Sequence, residues 1–186
     1  MLIIYAHPRH DGNCGALLSL VEKGLKAQKT GYKVIDLYKE KFNPVLSEAE
    51  HRGGDARSND VETYQKEIKK HDKFVFIYPD WWNNMPAVLK GFFDRVFQKG
   101  FAFDSSSGVP GGLLSGRALV LSTCAGPSFF QILIGKQRVI KNPKIDILGF
   151  CGLKTKAILT STGNDYTRDN DPKLERAVKK GLVFLG

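Results

Sequence analysis

Five short apolar runs restrict this chain more than any other feature. They read LIIYA (2–6), KVIDLY (33–38), KFVFIYP (73–79), RALVLST (117–123) and KAILTST (156–162), rich in β-branched and aromatic residues and bounded by turn residues. Continuous apolar runs of this length are what strands buried on both faces require. Segments of helical period lie among them. Residues 16–28 place Leu17, Leu20, Val21 and Leu25 on one face, residues 61–70 and 87–98 follow, and residues 172–184 align Leu174, Ala177, Val178 and Leu182. Strands alternating with helices imply right-handed crossovers and a doubly wound parallel sheet.

The 186 residues suit one domain spanning 1–186, since a chain this long buries roughly 70% of the surface it exposes when unfolded. Two stretches interrupt the simple alternation: a polar connection over 39–60 and a Gly/Ser/Pro-rich loop over 99–116. Cys14, Cys124 and Cys151 are odd in number and widely spaced, without CxxC or Cys/His spacing. Three free thiols, a reducing cytoplasm and no metal site are therefore expected. MLIIYAHPRH lacks a basic stretch followed by a long apolar one, so neither secretion nor membrane insertion is expected.

The formal charge of +9 raises nucleic acid, membrane surfaces and anionic small molecules as partners. Its distribution is uneven: residues 1–60 carry net +1, 61–120 net +2 and 121–186 net +6. Lys136, Arg138, Lys141, Lys144, Lys154 and Lys156 enclose a single acid, Asp146, with no aromatic interleaving or helix-turn-helix signature. Such a run reads as a solvated face, and no nucleic acid is expected as a partner.

In an open parallel sheet, ligands bind beyond the carboxyl ends of the strands, near the switch point. Loops 7–14, 78–86 and 122–130 are the ones that rule selects. The first, AHPRHDGNCGALL, runs from strand to helix N-terminus, where backbone N–H groups and the dipole favour an anion. Gly12 and Asn13 suit a tight turn, and His7 and Arg9 supply donors. The loop matches neither GxGxxG nor a Walker P-loop. Taken alone, it is better accounted for by His7 capping the strand and Asp11 capping the helix. The second loop, PDWWNNMP, sets two tryptophans and two asparagines between prolines. One tryptophan is expected to pack while the other stands over a planar ligand; a subunit interface is the competing account. In the helix that follows, Leu89, Phe92, Phe93, Val96 and Phe97 form a wide apolar face expected to be core or dimer contact.

The chain resembles the NAD(P)H:quinone oxidoreductase family, which includes small flavin-dependent quinone reductases and ancillary reductases of potassium-efflux systems. The resemblance rests on His7-Pro8, on DLYKEKFNPVLS (36–47) and above all on YPDWWNNMPAVLKGFFDRVFQKGFAF (78–103). It implies a flavodoxin-like three-layer α/β sandwich, with a five-stranded parallel sheet in the order 2-1-3-4-5. It also implies bound FMN, with FAD as the other possibility, and NADPH or NADH as co-substrate. By that resemblance His7, Asp11 and Asn13 belong to the phosphate loop, Pro79, Asp80, Trp82 and Asn83 line the ring, and Cys124, Ala125 and Gly126 face its pyrimidine edge. Asn83, Asn84 and Phe129 would line the acceptor pocket, with no residue assigned a catalytic role. Hydride would pass to a quinone or similar acceptor in a two-electron ping-pong cycle. A homodimer is implied, and the alternative is a flavin- and nicotinamide-binding ancillary subunit in peripheral contact with a membrane transporter. The chain departs from the family pattern in two places. Asp11 and Gly12 stand where the phosphate loop usually has a hydroxyl residue, and a carboxylate there repels phosphate unless it faces away or binds Arg9. The third loop reads CAGPSFF, in which Pro127 has no N–H to donate.

Overall fold

The computed structural model describes residues 1–52, 59–106, 108–125, 137–161 and 171–186. Four of the five apolar runs become the strands β1 (Leu2–Tyr5), β2 (Lys33–Asp36), β3 (Lys73–Pro79) and β6 (Arg117–Cys124). The fifth becomes β7 (Lys154–Ser161), which begins two residues earlier than its apolar run. They form one parallel sheet in the order β2-β1-β3-β6-β7. Counting only these five strands, that is the 2-1-3-4-5 order of a flavodoxin-like fold. The extra pair, β4 (Phe103–Asp104) and β5 (Gly111–Gly112), is a small antiparallel hairpin inside the stretch expected to be a loop.

The alternation of β3 divides the core. Phe74, Phe76 and Tyr78 point into one layer, where they meet Val88, Leu89, Phe92, Phe93 and Val96 of α4 (Ala87–Val96). Val75 and Ile77 point the other way, into a layer filled by Leu17, Val21 and Leu25 of α1 (Asn13–Ala27) and Leu174, Val178 and Leu182 of α6 (Pro172–Leu185). The apolar face read from residues 87–98 is thus core, with every member of it buried.

The connection over 39–60 is more structured than its polarity suggests. It contains α2 (Glu48–Arg52), opened by a capping box: the Ser47 backbone N–H donates to Glu50 Oε2 at 3.0 Å, while Ser47 Oγ accepts from the Glu50 N–H at 3.2 Å. After it, α3 (Asn59–Ile68) leads into β3. Between β6 and β7 the described residues form α5 (Arg138–Lys141), which continues into a π-helical segment over Asn142–Gly149. Sequence periodicity does not disclose these elements, because both are short and carry few apolar residues in register.

Candidate functional site

The carboxyl ends of β1, β3 and β6 meet where the crevice rule places a ligand. Asp80, the residue after β3, donates its backbone N–H to the Thr123 carbonyl at 2.7 Å, joining the second loop to the third. Cys14 Sγ and Thr123 Oγ1 lie 3.3 Å apart, joining the first turn of α1 to the same strand.

The first loop is held by close internal contacts. Tyr5 Oη donates to the Arg9 carbonyl at 2.6 Å, and His7 Nδ1 lies 2.8 Å from the same oxygen. Arg9 Nε donates to Asp11 Oδ1 at 2.8 Å, so the carboxylate is engaged by Arg9, which lessens its conflict with an anion. That hydrogen bond also holds the Asp11 carboxyl below its ordinary pKa. Asp11 does not cap α1. The N-cap is Gly12, which has no side chain to offer, so the helix opens without a side-chain cap. A Cβ on Gly12 would meet nothing within 4 Å among the described residues, so there is room beside the start of the helix.

Two contributors escaped the sequence reading. His10 Nε2 donates to Asp36 Oδ2 at 2.7 Å, and its ring stacks on Tyr5 at 4.7 Å between centroids. Asp36, buried at the end of β2, also accepts from the backbone N–H groups of Tyr38 and Lys39 through Oδ1, at 3.1 and 3.0 Å. Gly15 lies directly beneath the loop: a Cβ there would fall 1.7 Å from the His10 carbonyl oxygen. The signals were present as a second histidine in the loop and a glycine in the first helical turn, but nothing local shows that they meet.

The second loop is a tight reversal. Trp81 and Asn84 exchange two backbone hydrogen bonds of 3.0 and 3.1 Å, and the two residues between them, Trp82 and Asn83, both have φ of 58°. Left-handed backbone costs an L-residue with a Cβ roughly 1–2 kcal/mol, and such strain concentrates at functional sites. The expectation that one tryptophan packs is overturned: Trp81 is 40% exposed and Trp82 fully exposed, because the reversal turns both away from the core. Trp81 instead lies against His7, with ring centroids 6.0 Å apart. Asn84 spends its Oδ1 on the Met85 N–H at 2.9 Å, whereas Asn83 Oδ1 is buried with no hydrogen-bond partner among the described residues. Such an acceptor costs stability unless something donates to it. Pro79 is buried as the last residue of β3.

In the third loop, Cys124 is the buried end of β6 and Ala125 is exposed. Gly126, Pro127 and Phe129 lie outside the described residues. Burial pushes the Cys124 thiol up to about 11, assisted by the nearby Asp80 charge. Of the expected site residues, His7, Asp11, Asn13, Asp80 and Cys124 are therefore drawn together by three strand ends, with the turn from Trp81 to Asn84 beside them.

A separate groove of about 670 Å³ runs between α4 and the π-helical segment, lined by Phe93, Phe97, Phe103, Ile147 and Phe150 with Lys90 and Asp146 among its polar neighbours. None of its lining comes from the three crevice loops.

A family model described as a flavodoxin-like fold matches residues 1–182. An uncharacterized NAD(P)H oxidoreductase of Escherichia coli (strain K12) is 33% identical over 112 residues, covering 58% of this chain and 57% of that protein. The alignment thus spans little more than half of that relative's length. The mouse ribosyldihydronicotinamide dehydrogenase [quinone] is 29% identical over 198 residues, covering 94% of this chain and 86% of that protein. Among solved structures, the NAD(P)H:quinone oxidoreductase of Methanothermobacter marburgensis superposes with a TM-score of 0.79 at 26% identity, covering 97% of this chain and 93% of that one.

Proposed function

Because the chain belongs to the flavodoxin-like fold family, we propose that it is a single-domain, flavin-dependent oxidoreductase passing hydride from NAD(P)H to a quinone or a similar acceptor. Its similarity to relatives named NAD(P)H oxidoreductase and quinone-dependent dehydrogenase supports this reading. The observation that carries it is an unmet hydrogen-bonding demand in the crevice: the buried Asn83 Oδ1, without a partner among the described residues, asks for a donor, and the imide N–H of a flavin ring is one.

The residues present fit such a group. The uncapped start of α1, with room beside Gly12, suits the phosphate of FMN, the flavin proposed here. His7 and Asn13 stand at that end, and Arg9, paired with Asp11, offsets part of the carboxylate's charge beside the phosphate. Pro79, Asp80, Trp82 and Asn83 form the wall for the ring, and Cys124 and Ala125 its third side. Bound flavin supplies the hydride-accepting and hydride-donating chemistry. The chain supplies position: the exposed Trp82 gives a flat surface on which a nicotinamide or a quinone can be oriented, with Asn84 beside it in the turn. No side chain need take up hydride, so one pocket serves both half-reactions in turn.

The groove beside α4 brings the exposed Phe150 together with charged residues at its rim, a surface on which a second copy could pack, which supports a homodimer. A cytoplasmic location fits three free, buried thiols. No helix among the described residues is long and apolar enough to cross a membrane.

The test is titration of the protein with FMN, followed by NADPH and then a short-chain benzoquinone. Saturable binding, bleaching of the flavin band by NADPH and its return with quinone are expected. Absence of flavin binding, with FAD as well as FMN, overturns the reading.

A further inference from the structure

Charge pairing divides this molecule into two unequal parts. Every ion pair among the described residues involves positions up to Arg95 and none beyond it. From Arg117 onward the described residues carry ten lysines and arginines against three carboxylates. One of the three, Asp171, is buried as the N-cap of α6, accepting from the Lys173 backbone N–H at 2.8 Å.

The fold gathers much of that excess onto one face. Arg117, Lys154 and Lys156 share the side of the sheet that carries α6, because Arg117 alternates with the inward Leu119 and Leu121, and Lys154 and Lys156 with Ile158. Two of them reach the helix directly: Arg117 donates to the Phe184 carbonyl at 3.0 Å and Lys156 to the Lys180 carbonyl at 3.3 Å. Along α6 itself, Lys173, Arg176, Lys179 and Lys180 occupy the exposed positions, with Glu175 the one exposed acid among them. The helix is about 21 Å long at 1.5 Å per residue, so the cations form a strip rather than a point.

Two structural uses account for part of the strip. Cations beside the last carbonyls of a helix complement its dipole, and lysines on an edge strand discourage unwanted strand pairing. Neither use neutralises charge, and neither needs the outward Lys179 and Arg176. The strip also bears an apolar residue: Val183 is 75% exposed, one turn beyond Lys179 and Lys180. Stacking surfaces for bases are missing from it among the described residues, since Phe184 is already covered by Arg117 and Lys156 at 5.9 and 5.7 Å from its ring centre. Five of its seven cations are lysines, which act as point charges without the bidentate geometry that reads base edges.

We propose that the α6 and β7 face is an electrostatic docking surface for an anionic lipid bilayer. A row of lysines that form no ion pair among the described residues, with a single apolar contact, meets the diffuse negative charge of such a surface without requiring a shaped partner. The apolar stripe of α6 stays buried against the sheet, so attachment is peripheral and salt-sensitive. The inference is independent of the redox reading, because no residue of the strip belongs to the crevice.

The experiment is cosedimentation of the whole protein with phosphatidylcholine vesicles, with and without about 30 mol% phosphatidylglycerol, at about 50 mM and about 500 mM salt. Binding to the anionic vesicles alone is expected, falling at least about tenfold at the higher salt and in the double variant Lys179→Glu/Lys180→Glu. Both side chains are exposed, and circular dichroism establishes that the variant is folded. Absence of binding to anionic vesicles, or binding that the double variant retains, overturns the proposal. So does tighter retention of a short DNA duplex than of the vesicles under the same conditions, which assigns the face to nucleic acid instead.

Discussion

At the scale of single residues, the crevice depends on positions where a side chain is withheld or strained. Gly15 allows the first loop to rest on the first turn of α1, and Gly12 starts that helix without a cap. Trp82 and Asn83 hold left-handed backbone so that one ring is fully exposed and one amide oxygen is buried. The Gly12→Asp variant separates folding from binding here. Gly12 has extended backbone and open space around it, so an aspartate fits and supplies the missing cap, raising stability by a few tenths of a kcal/mol. The same carboxylate occupies the proposed phosphate position, and FMN affinity is expected to fall at least about tenfold. Urea denaturation of the flavin-free protein and a flavin titration check the two halves; unchanged FMN affinity would remove the phosphate from this loop.

At the scale of elements, one buried guanidinium ties the polar connection to α4. Arg95 Nη2 donates to Glu50 Oε1 at 2.7 Å and Arg95 Nη1 to Asp60 Oδ2 at 3.0 Å and the Asn43 carbonyl at 2.6 Å, over the face of Phe42. Glu50 is also the capping-box carboxylate of α2, so two ion pairs sharing one guanidinium fix α2, α3 and α4 together. Arg95→Met removes the cation and leaves Glu50 buried without it, at a cost of about 3–5 kcal/mol. Arg95→Lys restores only a minor part of this, because an ammonium cannot serve both carboxylates and the carbonyl in the same plane. Urea midpoints of the two variants measure the difference, and a loss below about 1 kcal/mol for Arg95→Met would mean that the cluster is not coupled to folding.

At the scale of the whole molecule, all three thiols are shut away. Burial pushes Cys14 to about 12 and Cys124 and Cys151 to about 11, from an ordinary value of 9.0. The folded protein therefore favours neutral thiols, and the stability this contributes is present below pH 9 and is lost as pH rises towards 11 and 12. A fall in the urea midpoint over that range is expected, shared with the buried Tyr5 and Tyr78, whose hydroxyls are raised in the same direction. At pH 8 a disulfide reagent should label the native protein slowly and three thiols once it is unfolded. A rapid first equivalent in the native state would show one thiol to be open.

The amino-acid sequence disclosed a doubly wound parallel sheet, because buried parallel strands must be continuous apolar runs and the helices between them must carry a stripe to cover the sheet; the strand order was implied by the family resemblance. It also pointed to the three loops, since strand ends follow from strand positions, and to the PDWWNNMP stretch as the most informative of them. Folding was needed to reveal relations between residues distant in the chain: His10 with Asp36, Arg95 with Glu50 and Asp60, Arg117 and Lys156 with the end of α6. Polar partners have no periodicity, so their pairing is not written in any local pattern. The tryptophans show the same limit, for their composition suggested one packed and one exposed, while a left-handed turn closed by two backbone hydrogen bonds turned both outward.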